Sequence, residues 1–132
     1  MTTLHTAAYG TWQPAFGQPV VASLTTPRWI PESASWPRCM AITPRWSYKK
    51  APAEEFASRY LEQLNRYGPK MITAELERIG REHEADAVVV LCYEHEWTRC
   101  HRIQFAAWMI ETTGVLVTEL SMPPPQATLF DV

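Results

Sequence analysis

Side chains that could do chemistry are concentrated in residues 92–102, which contain two each of Cys, Glu, His and Arg. This segment begins at the end of an apolar, β-branched run at residues 87–93. Such a run is typical of a central parallel strand that is covered on both faces. Because open α/β sheets bind ligands at the carboxyl ends of their strands, we expect a functional site in residues 92–102.

One chemistry that this segment could support is anion binding. If Thr98 caps the following helix, the first-turn amide groups and the helix dipole favour an anion there. Arg99 and Arg102 would add positive charge, and His101 could donate or accept a proton. The alternative is that these side chains only satisfy nearby carbonyl and carboxylate groups. Neither a Cys-x5-Arg phosphatase loop nor a glycine-rich phosphate loop is present, so no known reaction is specified.

Thiol chemistry is the second candidate. The helix dipole and the neighbouring arginines would lower the pKa of the Cys100 thiol into a reactive range. Cys92 at the strand end could face Cys100, and Glu94 could support His101 as a general base. These four residues are the candidate catalytic residues of a nucleophilic or redox enzyme. Against this, free cysteines in strands and helices are most often small hydrophobes, and exposed loop glutamates are usually solvated.

A short near-repeat adds aromatic residues to the candidate site. Thr-Pro-Arg-Trp occurs twice, ending in Arg28-Trp29 and in Arg45-Trp46. Each arginine and indole pair could hold a phosphate and stack a base of single-stranded nucleic acid. Tyr93, in the loop after the strand, joins them as a binding candidate. The alternative is that the tryptophans cover the sheet beneath long loops, with arginine stacked on them.

Composition bounds the class of protein. The 132 residues suit one domain, and a hydrophobic content of 46% is enough for a core. A net charge of -2 and a pI near 6.1 exclude a strongly basic protein that grips nucleic acid over its whole surface. No charged-then-apolar leader or membrane-spanning run is visible, so we expect a soluble, cytoplasmic protein without membrane contact.

The cysteines do not form the paired pattern of a secreted disulfide framework, since the chain has only Cys39, Cys92 and Cys100. We therefore expect reduced thiols. Cys92 and Cys100 are eight positions apart, which does not match the close ligand pairs of structural zinc sites. Neither a metal nor a cofactor is predicted.

Periodicity predicts the elements that position the site. Helical patterns extend from Pro52 to Gly68, then through Ile72, Leu76 and Ile79, and again over residues 99–113. Short strands are expected at residues 6–9, 20–24, 39–42, 87–93 and 115–120. A helix between two strands is a crossover unit. The prediction is an α/β fold in a single three-layer domain over residues 1–120, with a mainly parallel, Rossmann-like sheet and proline-rich N-terminal loops.

These residues resemble a known family. The apolar strand ending in Leu-Cys-Tyr-Glu at residues 91–94, followed by Cys-His-Arg at 100–102, is similar to the signature of the bacterial domain-of-unknown-function family numbered 488. Residues 42–46 and the amphipathic helix after them resemble the family's Pro-x-Trp segment, and the likeness covers about residues 41–120.

The resemblance implies an α/β domain but supplies no reaction, because the family has no settled activity. It implies a pocket around Cys92, Glu94, Cys100, His101 and Arg102. The N-terminal part departs from the family pattern, since residues 22–28 occupy the place of an Asp-Val-Arg-x-x-Pro strand end and lack its aspartate. A mechanism that depends on that aspartate is in doubt for this chain.

The last twelve residues, 121–132, read as a proline-rich spacer and a peptide tail. Gln126, Leu129 and Phe130 resemble the Gln-x-x-Leu-Phe peptides that bind the bacterial DNA-polymerase sliding clamp. Leu129 and Phe130 would fill an apolar pocket of that partner, although they could instead pack on the parent domain.

Three functions remain open from the sequence. The leading hypothesis is a domain that acts near DNA and binds a nucleotide, a phosphate or nucleic acid at the Cys-His-Arg turn. The second is a small cysteine- and histidine-dependent enzyme, and the third is a structural or interaction module without chemistry.

Overall fold

The computed structural model describes residues 2–93 and 101–120. Its strands and helices are joined by loops that contain short 3₁₀ turns. In chain order, the elements are β1 (Thr3–Ala8), β2 (Gln18–Val21), α1 (Ala53–Tyr67), α2 (Pro69–Glu82), β3 (Ala87–Cys92), α3 (His101–Thr113) and β4 (Val117–Glu119).

The described strands form one parallel sheet in the order β2-β3-β1-β4. Val21 pairs with Leu91, and Ala8 pairs with Cys92, so β1, β2 and β3 end at the same edge of the sheet. The parallel α/β architecture predicted from the sequence is confirmed. Residues 92–102, where the sequence predicts a site, begin at the carboxyl edge of this sheet.

The two faces of the sheet are covered differently. The three helices pack on one face, where Tyr60, Ile72 and Phe105 join a core with Val88 and Val90 of β3. Loops cover the other face, where Val89 and Leu91 are packed with a group of large side chains. That group is Tyr9, Trp12, Phe16, Ile30, Trp36, Tyr93 and Leu120. The arrangement is consistent with a three-layer, Rossmann-like fold whose second outer layer consists of loops and 3₁₀ turns.

Helix boundaries follow local signals. Gly68 separates α1 from α2 with a φ of 89°, a left-handed conformation that favours glycine. Pro69 is the first residue of α2, where the missing N–H has no cost. Trp108 of α3 is buried, as the apolar pattern of that helix predicts. Among the helices of the described ranges, none is both long and apolar enough to cross a membrane.

The strand predicted at residues 39–42 is wrong. Met40–Ile42 form a 3₁₀ turn, and the backbone near it makes one isolated bridge, from Arg38 to Val21. The reason lies in α1, because Tyr60 donates its hydroxyl hydrogen to the Ile42 carbonyl at 2.6 Å. Gln63 donates to the Ala41 carbonyl at 2.9 Å. Side chains from a distant helix therefore take the acceptors that a neighbouring strand would use.

Candidate functional site

A cavity of about 870 Å³ opens at the carboxyl edge of the sheet. Its walls come from the loop after β2, the segment before α1, the first turns of α1, the end of β3 and α3. They are lined by Ser23, Leu24, Pro44, Lys49, Ala51, Ala53, Phe56, Ala57, Cys92, Tyr93, His101, Ile103, Gln104 and Ala107. We call this space the carboxyl-edge cavity.

His101 lines the cavity as a neutral imidazole. Its Nε2 lies 2.8 Å from the Ala22 carbonyl oxygen, which can only accept, so Nε2 carries the proton and Nδ1 carries the lone pair. The ring packs edge-on against Tyr60, with centroids 5.4 Å apart, and lies 6.3 Å from the Phe56 ring. Burial among these rings lowers the pKa of His101 to about 4. At neutral pH His101 is therefore uncharged and a weak base, and it hydrogen-bonds to the Ala22 carbonyl in the cavity wall.

Arg102 is paired inside the domain. Its side chain is only 1% exposed, and its Nε and Nη2 atoms donate to Glu119 at 2.9–3.1 Å. Its Nη1 lies 3.0 Å from Cys92 Sγ. Glu119 also accepts a 2.6 Å hydrogen bond from Thr6. The guanidinium charge is compensated by Glu119, so Arg102 holds α3 against β3 and β4.

Cys92 contributes to the cavity wall in an oxidised form. It is disulfide-bonded. The expectation of reduced thiols is therefore wrong at this position. A disulfide sulfur has no thiolate to act as a nucleophile. Cys39 is a free, buried thiol, and burial raises its pKa to about 11.

The first Thr-Pro-Arg-Trp copy lies beside Tyr93. Trp29 is 63% exposed, and its ring centroid is 6.1 Å from that of Tyr93, which lines the cavity. The hydroxyl groups of Thr25 and Tyr93 are 3.1 Å apart. Arg28 is exposed next to Trp29. An open indole and a cation therefore lie next to this wall of the cavity.

The second copy places its tryptophan beside a different cation from the one expected. Trp46 is 65% exposed, and Lys49 Nζ lies 4.5 Å from its ring centroid. Arg45 instead donates to the Tyr67 hydroxyl and lies 5.9 Å from that ring. Lys49, which sequence reasoning missed, also lines the cavity. The signal for it was the Trp46–Tyr48 3₁₀ turn, since side chains at i and i+3 eclipse one another in such a turn.

Helix α1 fixes the loop that carries this second copy. Gln63 Nε2 donates to the carbonyls of Ala41 and Thr43 at 2.9 Å each, and its Oε1 accepts from the Tyr48 hydroxyl. These groups are buried. A buried glutamine of α1 therefore fixes the backbone of the loop that leads to Trp46 and Lys49.

Several predicted site residues lie outside the described residues. They are Glu94, Arg99 and Cys100 near the cavity in sequence, and Gln126, Leu129 and Phe130 in the tail. The structure brings Cys92, Tyr93 and His101 to one cavity, with Trp29 and Trp46 next to its lining residues. It directs Arg45 and Arg102 to Tyr67 and Glu119.

Together, the sheet and the cavity define an α/β protein with a ligand-sized space at the carboxyl edge of its parallel strands. The family model described as "Domain of unknown function DUF488" matches residues 35–109. The chain belongs to this family, as its sequence resemblance indicates. The matched range includes Cys92, His101, Arg102 and the second Thr-Pro-Arg-Trp copy, whereas the first copy precedes it. No curated protein and no solved structure matches the chain significantly.

Proposed function

We propose that this protein binds a nucleotide unit, either free or within a nucleic acid, at the carboxyl-edge cavity. The observation that carries the proposal is the combination of an 870 Å³ space with a lysine in its wall and exposed indoles beside its lining residues. This volume lies within the range of about 300–1,000 Å³ that is common for small-molecule sites. A base needs an apolar or aromatic surface, and a phosphate needs a cation.

The cavity wall offers both kinds of surface. Phe56, Leu24 and Ile103 provide apolar area, and Lys49 provides positive charge. Tyr93 and other polar side chains in the wall can hydrogen-bond to base edges or sugar hydroxyls. These others are Ser23, Gln104 and His101, each of which also hydrogen-bonds to a backbone carbonyl of the domain.

The proposal assigns different roles to the residues of the Cys-His-Arg turn. His101 is neutral near pH 7 and hydrogen-bonds to the Ala22 carbonyl, so it adds no positive charge to the cavity wall. Arg102 acts through its ion pair with Glu119 by holding the cavity wall in place. Lys49 replaces Arg102 as the anion-binding group of the described residues, and Arg99 stays a prediction.

A steric block tests the site. Ala57 is an exposed position of α1 that lines the cavity, so Ala57→Trp should fill part of it. Ala74→Trp, at an exposed position of α2, is the matched control. Calorimetric titration with thymidine monophosphate and with a single-stranded oligonucleotide should show binding that Ala57→Trp weakens and Ala74→Trp preserves. Absence of heat with both ligands, in folded wild-type protein, would remove the proposal.

We further propose that the protein acts near DNA through recruitment by the tail. The support is the Gln126, Leu129 and Phe130 pattern after a proline spacer. A pull-down with purified sliding clamp should capture the intact chain and lose the Leu129→Ala/Phe130→Ala variant. Equal capture of both proteins, or of neither, would refute recruitment without affecting the cavity proposal.

The nucleophilic form of the thiol enzyme is less well supported than binding, whereas a disulfide is also the oxidised state of a redox thiol pair. Cys92 is disulfide-bonded, and the pKa of His101 is too low for efficient proton abstraction near neutral pH. After reduction, an alkylating probe titrated across pH should find Cys92 no more reactive than a free thiol with a pKa of about 8.5. A much lower apparent pKa would favour the enzyme. A module without chemistry would bind no nucleotide in the calorimetric assay.

A further inference from the structure

We infer that the ligand is single-stranded nucleic acid, with one base stacked on Trp29 and another on Trp46, and with the intervening backbone passing the mouth of the carboxyl-edge cavity. This inference rests on the proposed function and extends it from a nucleotide unit to a polymer. Its first support is the exposure of the two indoles, at 63% and 65%.

The other described tryptophans behave differently. Trp12 and Trp36 pack against each other, with ring centroids 4.8 Å apart, on the loop-covered face of the sheet. Trp108 is 4% exposed and donates its indole N–H to Asn65. Among the described residues, the tryptophans with solvent-exposed rings are therefore Trp29 and Trp46, one in each copy of the repeat. Exposed aromatic side chains without a fold role are the usual stacking platforms for unpaired bases.

The two indoles border the cavity through different wall residues. The Trp29 ring contacts Tyr93 at the end of β3. The Trp46 ring contacts the ammonium group of Lys49, in the segment before α1. Both wall residues line the same cavity. A free mononucleotide can stack on one platform at a time, whereas a short single strand can use both.

The sequence segment that carries both platforms is basic, although Glu54 and Glu55 are exposed in the first turn of α1, next to lining residue Ala53. Residues 1–50, which carry both platforms, contain five Lys or Arg side chains and a single acidic side chain, Glu32. The rest of the chain has seven Lys or Arg against thirteen Asp or Glu. The overall charge of -2 is therefore unevenly distributed, with a basic N-terminal part and an acidic remainder. Lys49 Nζ occupies one face of the Trp46 ring and can neutralise a phosphate next to a base on the open face.

Both platforms are held by buried hydrogen bonds. Ser33 donates its single hydroxyl hydrogen to the Ile30 carbonyl at 2.6 Å, with the Pro27 carbonyl 3.3 Å from the same oxygen, so the contacts lie on either side of Trp29. Gln63 fixes the Thr43 carbonyl before Trp46. Surfaces that are ordered before binding lose less conformational entropy when the ligand arrives.

Oligonucleotide length and tryptophan removal test the inference together. Fluorescence anisotropy with a labelled dodecamer of dT would measure direct binding, and unlabelled thymidine monophosphate, shorter dT strands and a dodecamer of U would compete. Affinity should rise with strand length. Trp29→Ala and Trp46→Ala should each weaken dodecamer binding by about 5- to 150-fold, the equivalent of one stacked base.

Three further variants serve as controls. Trp29→Phe and Trp46→Phe should keep most of the affinity, because a smaller ring still stacks. Leu116→Ala should not change it, since Leu116 is 70% exposed but precedes β4 and lies at the opposite edge of the sheet. Circular dichroism and thermal unfolding would verify that each variant is folded.

The outcomes separate the two proposals. If thymidine monophosphate competes as well as the dodecamer and Trp29→Ala has no effect, the polymer inference is overturned and nucleotide binding stands. If neither ligand binds, both fall. Preference for a duplex of the same length would also overturn the inference, since paired bases cannot stack on the indoles. Binding of dT or of U strands supports it and identifies the preferred sugar.

Discussion

The Arg102 and Glu119 ion pair should be a sensitive polar contact beneath the site, and Glu119→Gln tests its strength. Arg102 is 1% exposed, whereas the Glu119 side chain is 28% exposed. The amide would keep the shape of the side chain but leave the buried guanidinium without a counter-charge. Breaking a buried pair costs about 3–5 kcal/mol, and an exposed pair about 0–1 kcal/mol, so partial exposure of Glu119 leads us to expect about 2–3 kcal/mol.

Urea unfolding followed by circular dichroism would measure this loss. Glu55→Gln is the matched control, because Glu55 pairs with Arg59 at 3.0 Å with both side chains 49% exposed. The control should lose less than about 0.5 kcal/mol. A double variant, Arg102→Met/Glu119→Leu, should recover part of the stability, since it removes both charges. A loss in Glu119→Gln no larger than in Glu55→Gln would refute the role given to the buried pair.

Three other variants test separate parts of the site. Since the unfolded chain protonates His101 near its ordinary pKa of 6.5 and the folded chain only near 4, stability should fall as pH drops from 6.5 to 4. The loss should reach up to about 3 kcal/mol, and urea titrations of His101→Gln across pH should lack this component. Lys49→Ala should reduce the slope of log K against log salt for a single strand by about 0.7, and an unchanged slope would exclude a phosphate contact. Gln63→Leu should lower the free energy of unfolding by about 2–4 kcal/mol, since it leaves the Ala41 and Thr43 carbonyls without donors; a loss under about 1 kcal/mol would count against their burial.

The parts of the fold that the sequence predicts are those with local signals. Residues 87–92 form the strand that their β-branched run indicates, and α1 and α2 follow their apolar periodicity. The segment at 39–42 shows the limit of such reasoning. Its apolar residues suit a strand, but Tyr60 and Gln63 take its carbonyls from a helix twenty residues away. A pattern within one segment carries no information about that competition.

For the candidate site, the sequence predicts the position but not all of the contacts. A cavity lies at the end of β3, where the sequence predicts a site, because parallel strands bring their carboxyl ends to one edge. Sequence reasoning did not foresee that Glu119 would compensate Arg102, since the pair spans seventeen positions and depends on how β4 packs beside β1. It also missed Lys49, although the spacing from Trp46 was readable once a 3₁₀ turn was considered.

Photochemical cross-linking of an iodouridine-containing single strand to the intact protein, followed by trypsin digestion and mass spectrometry, tests the central claim most directly. Trypsin releases one peptide that begins at Trp29 and another that begins at Trp46. We expect cross-links on both of these peptides and none on the α2 peptide of residues 71–78, which contributes no residue to the cavity lining. Cross-links that fall mainly on α2, or a cross-linked yield that does not drop when Trp29 and Trp46 are replaced by alanine, would contradict binding at the carboxyl-edge cavity.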